Sequence, residues 1–269
     1  MKMTSKKKKI LEKVISNLNS KKDGYCRITQ KKGWLGFLQD GDLVFSPNEF
    51  RHVLEPIIKE HPPEGEKLFH LRKRYQFTAK SDMTPDVSEA ALERFIVASN
   101  SEEDFFNQIP IGGRRECIDI GIRESIDKFI FVELKTWGSN DTPLYAILES
   151  LKNLMEYRFM LNNPDKYKNI PTYKEIDLIV LAPRFYYEAY KRNESSGIQK
   201  MKKALNDISV EFNTNISLME LQIEKRKFDK IREEMKIDDQ GRSRVSGADA
   251  IHELAWNQWK PLVSSDRKY

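Results

Sequence analysis

The sequence predicts an α/β fold in which a central mixed sheet is flanked by helices, with an α+β module at the N-terminus. Two segments, 87–99 and 142–160, repeat apolar residues at helical spacing. Between them lie two β-prone runs, 117–122 and 129–135. The continuous apolar run 176–182 is typical of a strand that is buried on both faces of a sheet. Helices that alternate with strands in this way favour a layered α/β architecture.

Composition and charge narrow the class of protein. Of the 269 residues, 39% are hydrophobic and 10% aromatic, which fits a folded chain rather than a disordered one. No apolar run approaches the roughly 20 residues that span a bilayer, so we expect a cytoplasmic protein without a membrane partner. The two cysteines, Cys26 and Cys117, lie far apart, which argues against a disulfide framework or a structural zinc site. A net charge of +5 is compatible with a polyanionic partner but does not require one.

Residues 1–82 are expected to form the N-terminal module, with a role in recognition or tethering. Ser46 and Pro47 have the pattern of a helix start, and the helix is predicted to continue to about residue 59. Basic clusters in this module would contact a nucleic-acid backbone, although each alone is equally compatible with a solvated surface. These clusters lie at residues 6–9, 31–32 and 72–74.

Residues 83–224 are expected to form the core of the protein. Its predicted elements, in chain order, are a helix at 87–99, strands at 105–111, 117–122 and 129–135, a helix at 142–160, a strand at 176–182, a helix at about 186–206 and a strand at 216–223. Thr142 and Pro143 provide the start of the second helix. The charged segment 225–269 is expected to be a C-terminal extension that ends in a helix over 248–259.

Asp119, Glu133 and Lys135 are the strongest candidates for a catalytic site. Alternation along 117–122 places Asp119 on the face opposite to the isoleucines, while Glu133 and Lys135 share one face of the next strand. Two positions along a strand cover roughly 6.6 Å, so these two side chains could contact adjacent points of one small ligand. If the strands pair as a hairpin, Asp119 lies across from them.

Phosphodiester hydrolysis explains why this combination of residues is useful. A hard cation polarises the phosphate and lowers the pKa of the attacking water. Mg²⁺ prefers oxygen ligands, which Asp119 and Glu133 would supply together with the backbone carbonyl of Leu134. Lys135 would orient the water and offset the charge that grows on the phosphate. The alternatives are a solvated strand face and a buried Glu133–Lys135 ion pair.

Ile118-Asp119, followed by Val132-Glu133-Leu134-Lys135, resembles the PD-(D/E)xK nuclease superfamily, the restriction-endonuclease-like fold. The resemblance covers residues from about 83 to 183 and extends at most to 224. It implies an αβββαβ core and an Mg²⁺-dependent deoxyribonuclease, with Mn²⁺ able to substitute. It also implies an endonuclease of restriction or anti-phage defence type, which acts on DNA as a homodimer or in a larger defence complex. The chain departs from the motif at Ile118, which stands where the motif has proline.

The resemblance also implies contributions from neighbouring helices. Many members place an acid on the helix before the sheet, and Glu93 matches that position, although an exposed helix acid would give the same pattern. Lys152, from the helix after the motif, could contact phosphate, whereas Glu149 beside it better fits a solvated face. Independently of the resemblance, Arg114 and Arg115 directly precede the first motif strand and could also contact phosphate.

The alternative function is a non-catalytic nucleic-acid-binding module that retains the nuclease fold. A broken Asp–Glu–Lys set would favour it, but all three residues are present. The sequence has no paired metal-binding histidines, no glycine-rich phosphate loop and no Gly-x-Ser-x-Gly elbow. Their absence argues against zinc hydrolases, P-loop ATPases and serine hydrolases.

Overall fold

The computed structural model describes residues 11–12, 38–39, 42–43, 46–64, 69–73, 76–78, 89–100, 104–112, 117–139, 141–191, 194–233, 242–244 and 251–265. Within these ranges the helices are α1 (Pro47–Glu60), α2 (Glu89–Ser99), α3 (Pro143–Leu161), α4 (Arg184–Lys191), α5 (Glu194–Phe212) and α6 (Lys225–Glu233). The strands are β1 (Leu38–Gln39), β2 (Asp42–Leu43), β3 (Gln76–Thr78), β4 (Phe105–Pro110), β5 (Cys117–Arg123), β6 (Lys128–Leu134), β7 (Glu175–Pro183), β8 (Ile216–Leu221), β9 (Arg242–Arg244) and β10 (Lys260–Ser264).

Six of these strands form one mixed sheet, in the order β10-β8-β7-β6-β5-β4. From β4 to β6 neighbouring strands are antiparallel, from β6 to β8 they are parallel, and β10 lies antiparallel on the outer edge of β8. The chain is therefore an α/β protein with a six-stranded mixed sheet flanked by helices, as the sequence predicts. Among the described helices, none combines the length and hydrophobicity that a membrane-spanning segment needs.

Local sequence signals determine where two helices begin. Ser46 forms a capping box at the start of α1: its Oγ accepts the Glu49 N–H at 3.1 Å, and the Glu49 carboxylate accepts the Ser46 N–H at 2.8 Å. Thr142 caps α3 by accepting the Tyr145 N–H at 3.2 Å, with Pro143 in the first turn. Both predicted helix starts are confirmed.

Two apolar clusters, one on each face of the sheet, form the core. The first packs residues such as Phe131 of β6 against α1, α3 and α5, and the second packs its neighbour Val132 against α2 and α6. At the edge of the sheet the alternation breaks, because Ile118 lies in the first cluster although alternation predicts it beside Ile120 in the second. The break coincides with Gln108 on the adjacent strand, whose φ of 54° interrupts the regular pleat.

The C-terminal region differs from the prediction. In place of a helix over 248–259, the described residues from 251 onward form two 3₁₀ turns, His252–Leu254 and Trp256–Gln258, followed by β10. The rings of Trp256 and Trp259 pack against each other with centroids 4.7 Å apart, and both pack against Phe105, which favours this compact path. β10 then pairs with β8, so this segment adds a strand to the sheet. The helix predicted at about 186–206 is likewise two helices, α4 and α5.

The described part of the N-terminal module shares the core of the sheet. Phe50 of α1 belongs to the first apolar cluster, and its ring centroid lies 6.3 Å from that of Phe212 in α5. The Tyr167 hydroxyl donates to the carbonyl oxygen of Pro63 at 2.9 Å. These contacts fix α1 against the sheet. The predicted basic clusters at 6–9 and 31–32, and Arg74 of the third cluster, lie outside the described residues.

Gly121 in β5 has no room for a side chain. A Cβ there would lie 2.3 Å from the Ile109 Cδ1 and 2.6 Å from the Phe129 Cζ, and both of these side chains are fully buried. We expect Gly121→Ala to lower the free energy of unfolding by about 1–3 kcal/mol, because the buried neighbours must shift. Urea unfolding measures the loss. Gly138→Ala is the control, since no atom lies within 4 Å of a Cβ there; equal stability of wild type and Gly121→Ala would contradict the expectation.

Candidate active site

The candidate site forms where β5 and β6 separate. Their antiparallel register reaches Ile120 opposite Val132, and continuing it places Asp119 opposite Glu133. At that point the Leu134 N–H donates to the Asp119 Oδ2 at 2.8 Å, so a side-chain oxygen takes the place of a backbone carbonyl of β5. The predicted strand hairpin is confirmed, and Asp119 lies beside Glu133 through its contact with Leu134.

Lys135 lies directly beyond β6, and its ammonium group is buried among three carboxylates. The Lys135 Nζ lies 2.8 Å from the Glu133 Oε1, 2.9 Å from the Glu149 Oε2 and 3.0 Å from the Asp141 Oδ2. Only 5% of Lys135 is exposed, and its backbone N–H donates to the carbonyl oxygen of Leu181 in β7 at 2.9 Å. The Glu133–Lys135 pair is therefore one part of a larger ion cluster, to which a strand, a loop and α3 each contribute an acid.

Glu93 enters the site from α2. Only 2% of this residue is exposed, so the alternative of an exposed helix acid is wrong. The Gln108 Nε2 donates to both carboxylate oxygens of Glu93, at 2.8 and 2.6 Å. Gln108 is held in turn by Arg72, whose guanidinium donates to the Gln108 carbonyl oxygen through two nitrogens. The acid on the helix before the sheet is thus fixed by two successive layers of hydrogen bonds.

Burial and mutual repulsion raise the pKa of the acids in the site. The pKa of Glu133 lies well above its ordinary value because of burial and the charge of Asp119, with Lys135 acting in the opposite direction. Burial and the charge of Asp119 also raise the pKa of Glu93. The negative charge of Asp119 therefore repels both of these acids. A bound cation would relieve that repulsion.

The ion cluster keeps Lys135 protonated. Burial alone would lower the pKa of Lys135, but the charges of Asp141, Glu133 and Glu149 outweigh it and raise this pKa well above its ordinary value. Burial raises the pKa of Asp141 to about 6, with the charge of Lys135 acting against the rise. Lys135 can therefore supply positive charge to a substrate, but it does not act as a proton acceptor at neutral pH.

Asp119 and Glu133 could hold a divalent cation. They offer oxygen ligands, which Mg²⁺ prefers, and Mg²⁺ commonly binds through one or two carboxylates while water completes its shell. Within the described residues, no group of three or more His, Cys, Asp or Glu side chains is arranged as a metal site. A two-carboxylate set therefore fits Mg²⁺ better than zinc, which takes three or four protein ligands. The carbonyl of Leu134, the predicted third ligand, belongs to the residue whose N–H binds Asp119.

Helix α3 brings Glu149, rather than Lys152, to the site. The solvated face predicted for Glu149 is wrong, because its carboxylate accepts from the buried ammonium of Lys135. Lys152 is itself buried, and its Nζ donates to the Glu156 Oε1 at 2.8 Å. The predicted contact of Lys152 with a phosphate stays a prediction, and in this structure its ammonium binds Glu156.

Asp141 and Gln108 complete the site but were not singled out by the sequence. Asp141 lies in the loop that precedes α3, and Ser139 shapes that loop by accepting the Thr136 N–H at 2.9 Å and donating to the Glu89 carboxylate at 3.3 Å. Position next to the helix cap was the available signal for Asp141. Gln108 adopts a φ of 54°, which no sequence pattern indicates for glutamine.

Basic residues occur at a place that the sequence analysis missed. The predicted phosphate contacts Arg114 and Arg115 lie outside the described residues. Helix α6, which follows β8, carries five basic and two acidic residues among nine. Its exposed basic residues include Arg226, Lys227 and Lys230. This helix begins at the carboxyl ends of the parallel strands, and Lys135 lies at the same edge of the sheet. The helix therefore offers positive charge at the edge where the candidate site lies.

Comparisons of the chain with protein-family models, with curated proteins and with solved structures returned no match. Evidence for the function therefore comes from the geometry and the electrostatics of the site.

Asp141→Asn tests the electrostatics of the ion cluster. The folded-state pKa of Asp141 is about 6, above the ordinary value of 3.8. Its contribution to stability is therefore fully present below about pH 4 and is lost as the pH rises through about 6. We expect the free energy of unfolding of the wild type to fall relative to that of Asp141→Asn between about pH 4 and 7, by up to about 3 kcal/mol. Urea unfolding in EDTA at several pH values measures this difference.

Asp127→Asn is the matched control for that experiment. Asp127 is half exposed and pairs with Lys174 at 3.0 Å, at the end of β6 opposite to Lys135. Asp127→Asn therefore changes a carboxylate outside the ion cluster of Lys135. If the stability of Asp141→Asn differed from that of the wild type by the same amount at every pH, burial would not raise the pKa of Asp141.

Proposed function

We propose that this chain is an Mg²⁺-dependent nuclease that hydrolyses phosphodiester bonds in DNA, as an endonuclease of restriction or anti-phage defence type. One observation carries the proposal: the Asp119 carboxylate accepts the N–H of Leu134, the residue after Glu133, at 2.8 Å, and the ammonium of Lys135 lies 2.8 Å from Glu133. Two carboxylates and a cation at one point are the groups that metal-assisted phosphodiester hydrolysis needs.

The order of elements supports the same proposal. α2, β4, β5, β6, α3 and β7 follow one another along the chain, which is the αβββαβ order that the resemblance to the PD-(D/E)xK superfamily implies. The candidate residues occupy the positions that the resemblance assigns to them, at the ends of two neighbouring strands of this series. Because one such site cuts one strand, cleavage of both strands of a duplex would require a homodimer or a larger complex.

Each residue of the site has a distinct role in the proposed reaction. Asp119 and Glu133 would hold Mg²⁺, which when bound polarises the phosphate and lowers the pKa of the attacking water. Lys135 stays protonated and stabilises the negative charge that develops on the phosphate. Asp141 and Glu149 position the Lys135 ammonium from the side of the loop and α3.

The second candidate is a non-catalytic nucleic-acid-binding module. The observation that favours it is the engagement of the Lys135 ammonium by three carboxylates, which could serve stability alone. The two functions differ in whether DNA is cut, because only the nuclease cleaves DNA when a divalent cation is present.

Plasmid nicking separates these functions. We expect the wild type to convert supercoiled plasmid to the open circular form with Mg²⁺ or Mn²⁺ and not with EDTA. Asp119→Ala removes a carboxylate from the proposed cation site, and Lys135→Ala removes the positive charge beside the phosphate. Each substitution should slow cleavage by roughly 10²–10³. Gel electrophoresis over time gives the rates, and circular dichroism checks that the variants fold.

Asp127→Ala and Lys174→Ala are matched controls, because they remove the same groups from an exposed ion pair at the other end of the sheet. Both should cut at the wild-type rate. Cleavage that survives Asp119→Ala and Lys135→Ala would contradict the assignment of the site. A wild type that binds DNA and leaves it intact with either cation would favour the binding module.

A further inference from the structure

A pocket of about 620 Å³ lies beyond the carboxyl ends of three neighbouring parallel strands, β6, β7 and β8. Its volume is in the range of small-molecule sites. In open α/β sheets, ligands bind at this edge. Side chains that follow each of the three strands line it: Trp137 after β6, Arg184, Phe185 and Glu188 after β7, and Glu224 and Lys225 after β8.

The pocket adjoins the candidate active site. Trp137 is two residues beyond Lys135, so their Cα atoms are at most about 7.6 Å apart. The same loop continues to Asp141, whose carboxylate returns to within 3.0 Å of the Lys135 Nζ. One loop therefore forms a wall of the pocket and closes the ion cluster of the site. A ligand in the pocket would therefore contact the loop that also holds Asp141 against Lys135.

Two aromatic rings give the pocket its chemistry. Phe185 is 63% exposed, which is unusual for a large apolar side chain in the described part of the chain. The ring of Trp137 packs against the buried Phe228 with centroids 5.6 Å apart, so a buried aromatic fixes its position. Nucleobases stack on such rings whatever their sequence, because every base has a π-face.

The charged groups of the pocket favour a base over a phosphate. Glu188 and Glu224 place two carboxylates beside the two cations, Arg184 and Lys225, and Glu188 lies 3.7 Å from Arg184. This mixture leaves the pocket close to neutral, so it does not attract an isolated anion. Carboxylates accept hydrogen bonds from amino and ring N–H groups of bases, and guanidinium donates to base carbonyls.

Helix α6 offers a basic surface for the sugar-phosphate backbone of a nucleic acid whose base lies in the pocket. It begins at Lys225 on the wall of the pocket, and its exposed residues Arg226 and Lys227 follow directly. Lys227 forms an ion pair with Glu253, which holds that part of the basic surface in place. Backbone contacts of this kind position a nucleic acid without reading its sequence.

We propose that this pocket binds one unpaired nucleobase next to the scissile phosphate, so that the preferred substrate is single-stranded DNA or a single-stranded stretch within a duplex. The inference rests on the proposed function and adds its substrate class. In a duplex the bases are stacked and paired, and a base reaches such a pocket only after leaving the stack.

The test is a binding measurement with the full chain in EDTA, where no cleavage occurs. Fluorescence anisotropy compares a short labelled oligodeoxythymidine, an abasic strand of the same length and a duplex. We expect the wild type to bind the base-bearing strand roughly 10-fold or more tighter than the abasic strand. Phe185→Ala should lose most of that preference while its affinity for the abasic strand stays unchanged, and Phe185→Tyr should restore the preference.

Ile126→Ala is the matched control, since Ile126 is an 86% exposed apolar residue in the turn before β6, at the other end of the sheet. It should keep the wild-type preference. Equal affinity of the wild type for the base-bearing and abasic strands, or an equal effect of Phe185→Ala and Ile126→Ala, would overturn the inference. Plasmid nicking without a preference for base-bearing strands would overturn only this inference. A preference for base-bearing strands without any nicking would overturn only the proposed nuclease activity.

Discussion

The buried ammonium of Lys135 is the constraint on which the rest of the site depends. Burying a lysine without compensation costs several kcal/mol, and three carboxylates within 3.0 Å provide the compensation here. Glu133 belongs to β6, Asp141 to the loop and Glu149 to α3. Because these acids converge on one cation, they hold strand, loop and helix in a single arrangement. The same loop forms a wall of the neighbouring pocket, so pocket and ion cluster share one support.

Asp119 and Glu93 make the site more than a neutral ion cluster. They add two carboxylates to the site, and the pKa of Glu93 and of Glu133 is raised by burial and by the charge of Asp119. Such repulsion opposes folding unless a proton or a bound cation offsets it. Perturbed acids of this kind, on opposing strand ends, are characteristic of functional sites. The electrostatics and the hairpin geometry therefore both favour the interpretation of this cluster as a functional site.

Period-two alternation was sufficient to predict that Asp119 would lie across from Glu133 and Lys135 if the two strands paired, and they pair regularly up to Ile120 and Val132. Helical periodicity failed on α3. Fourteen of its nineteen residues are buried, so a polar stripe there is not a solvated face: Glu149 joins the site and Lys152 pairs with Glu156. Asp141 and Gln108 depend on a loop path and on a left-handed backbone, and neither leaves a periodic signal in the sequence. The pocket was missed for a related reason, since its walls come from three segments far apart in sequence.

The most direct test of the central claim is cation binding itself, measured without DNA by the electron paramagnetic resonance signal of Mn²⁺. We expect the wild type to bind Mn²⁺, and we expect Asp119→Asn and Glu133→Gln each to weaken binding by about tenfold or more, since loss of a ligand costs at least as much as loss of an outer-shell partner. Asp127→Asn, changed at an exposed acid, should bind as the wild type does. Unaltered Mn²⁺ affinity in both Asp119→Asn and Glu133→Gln would contradict the claim that these two carboxylates form the metal site.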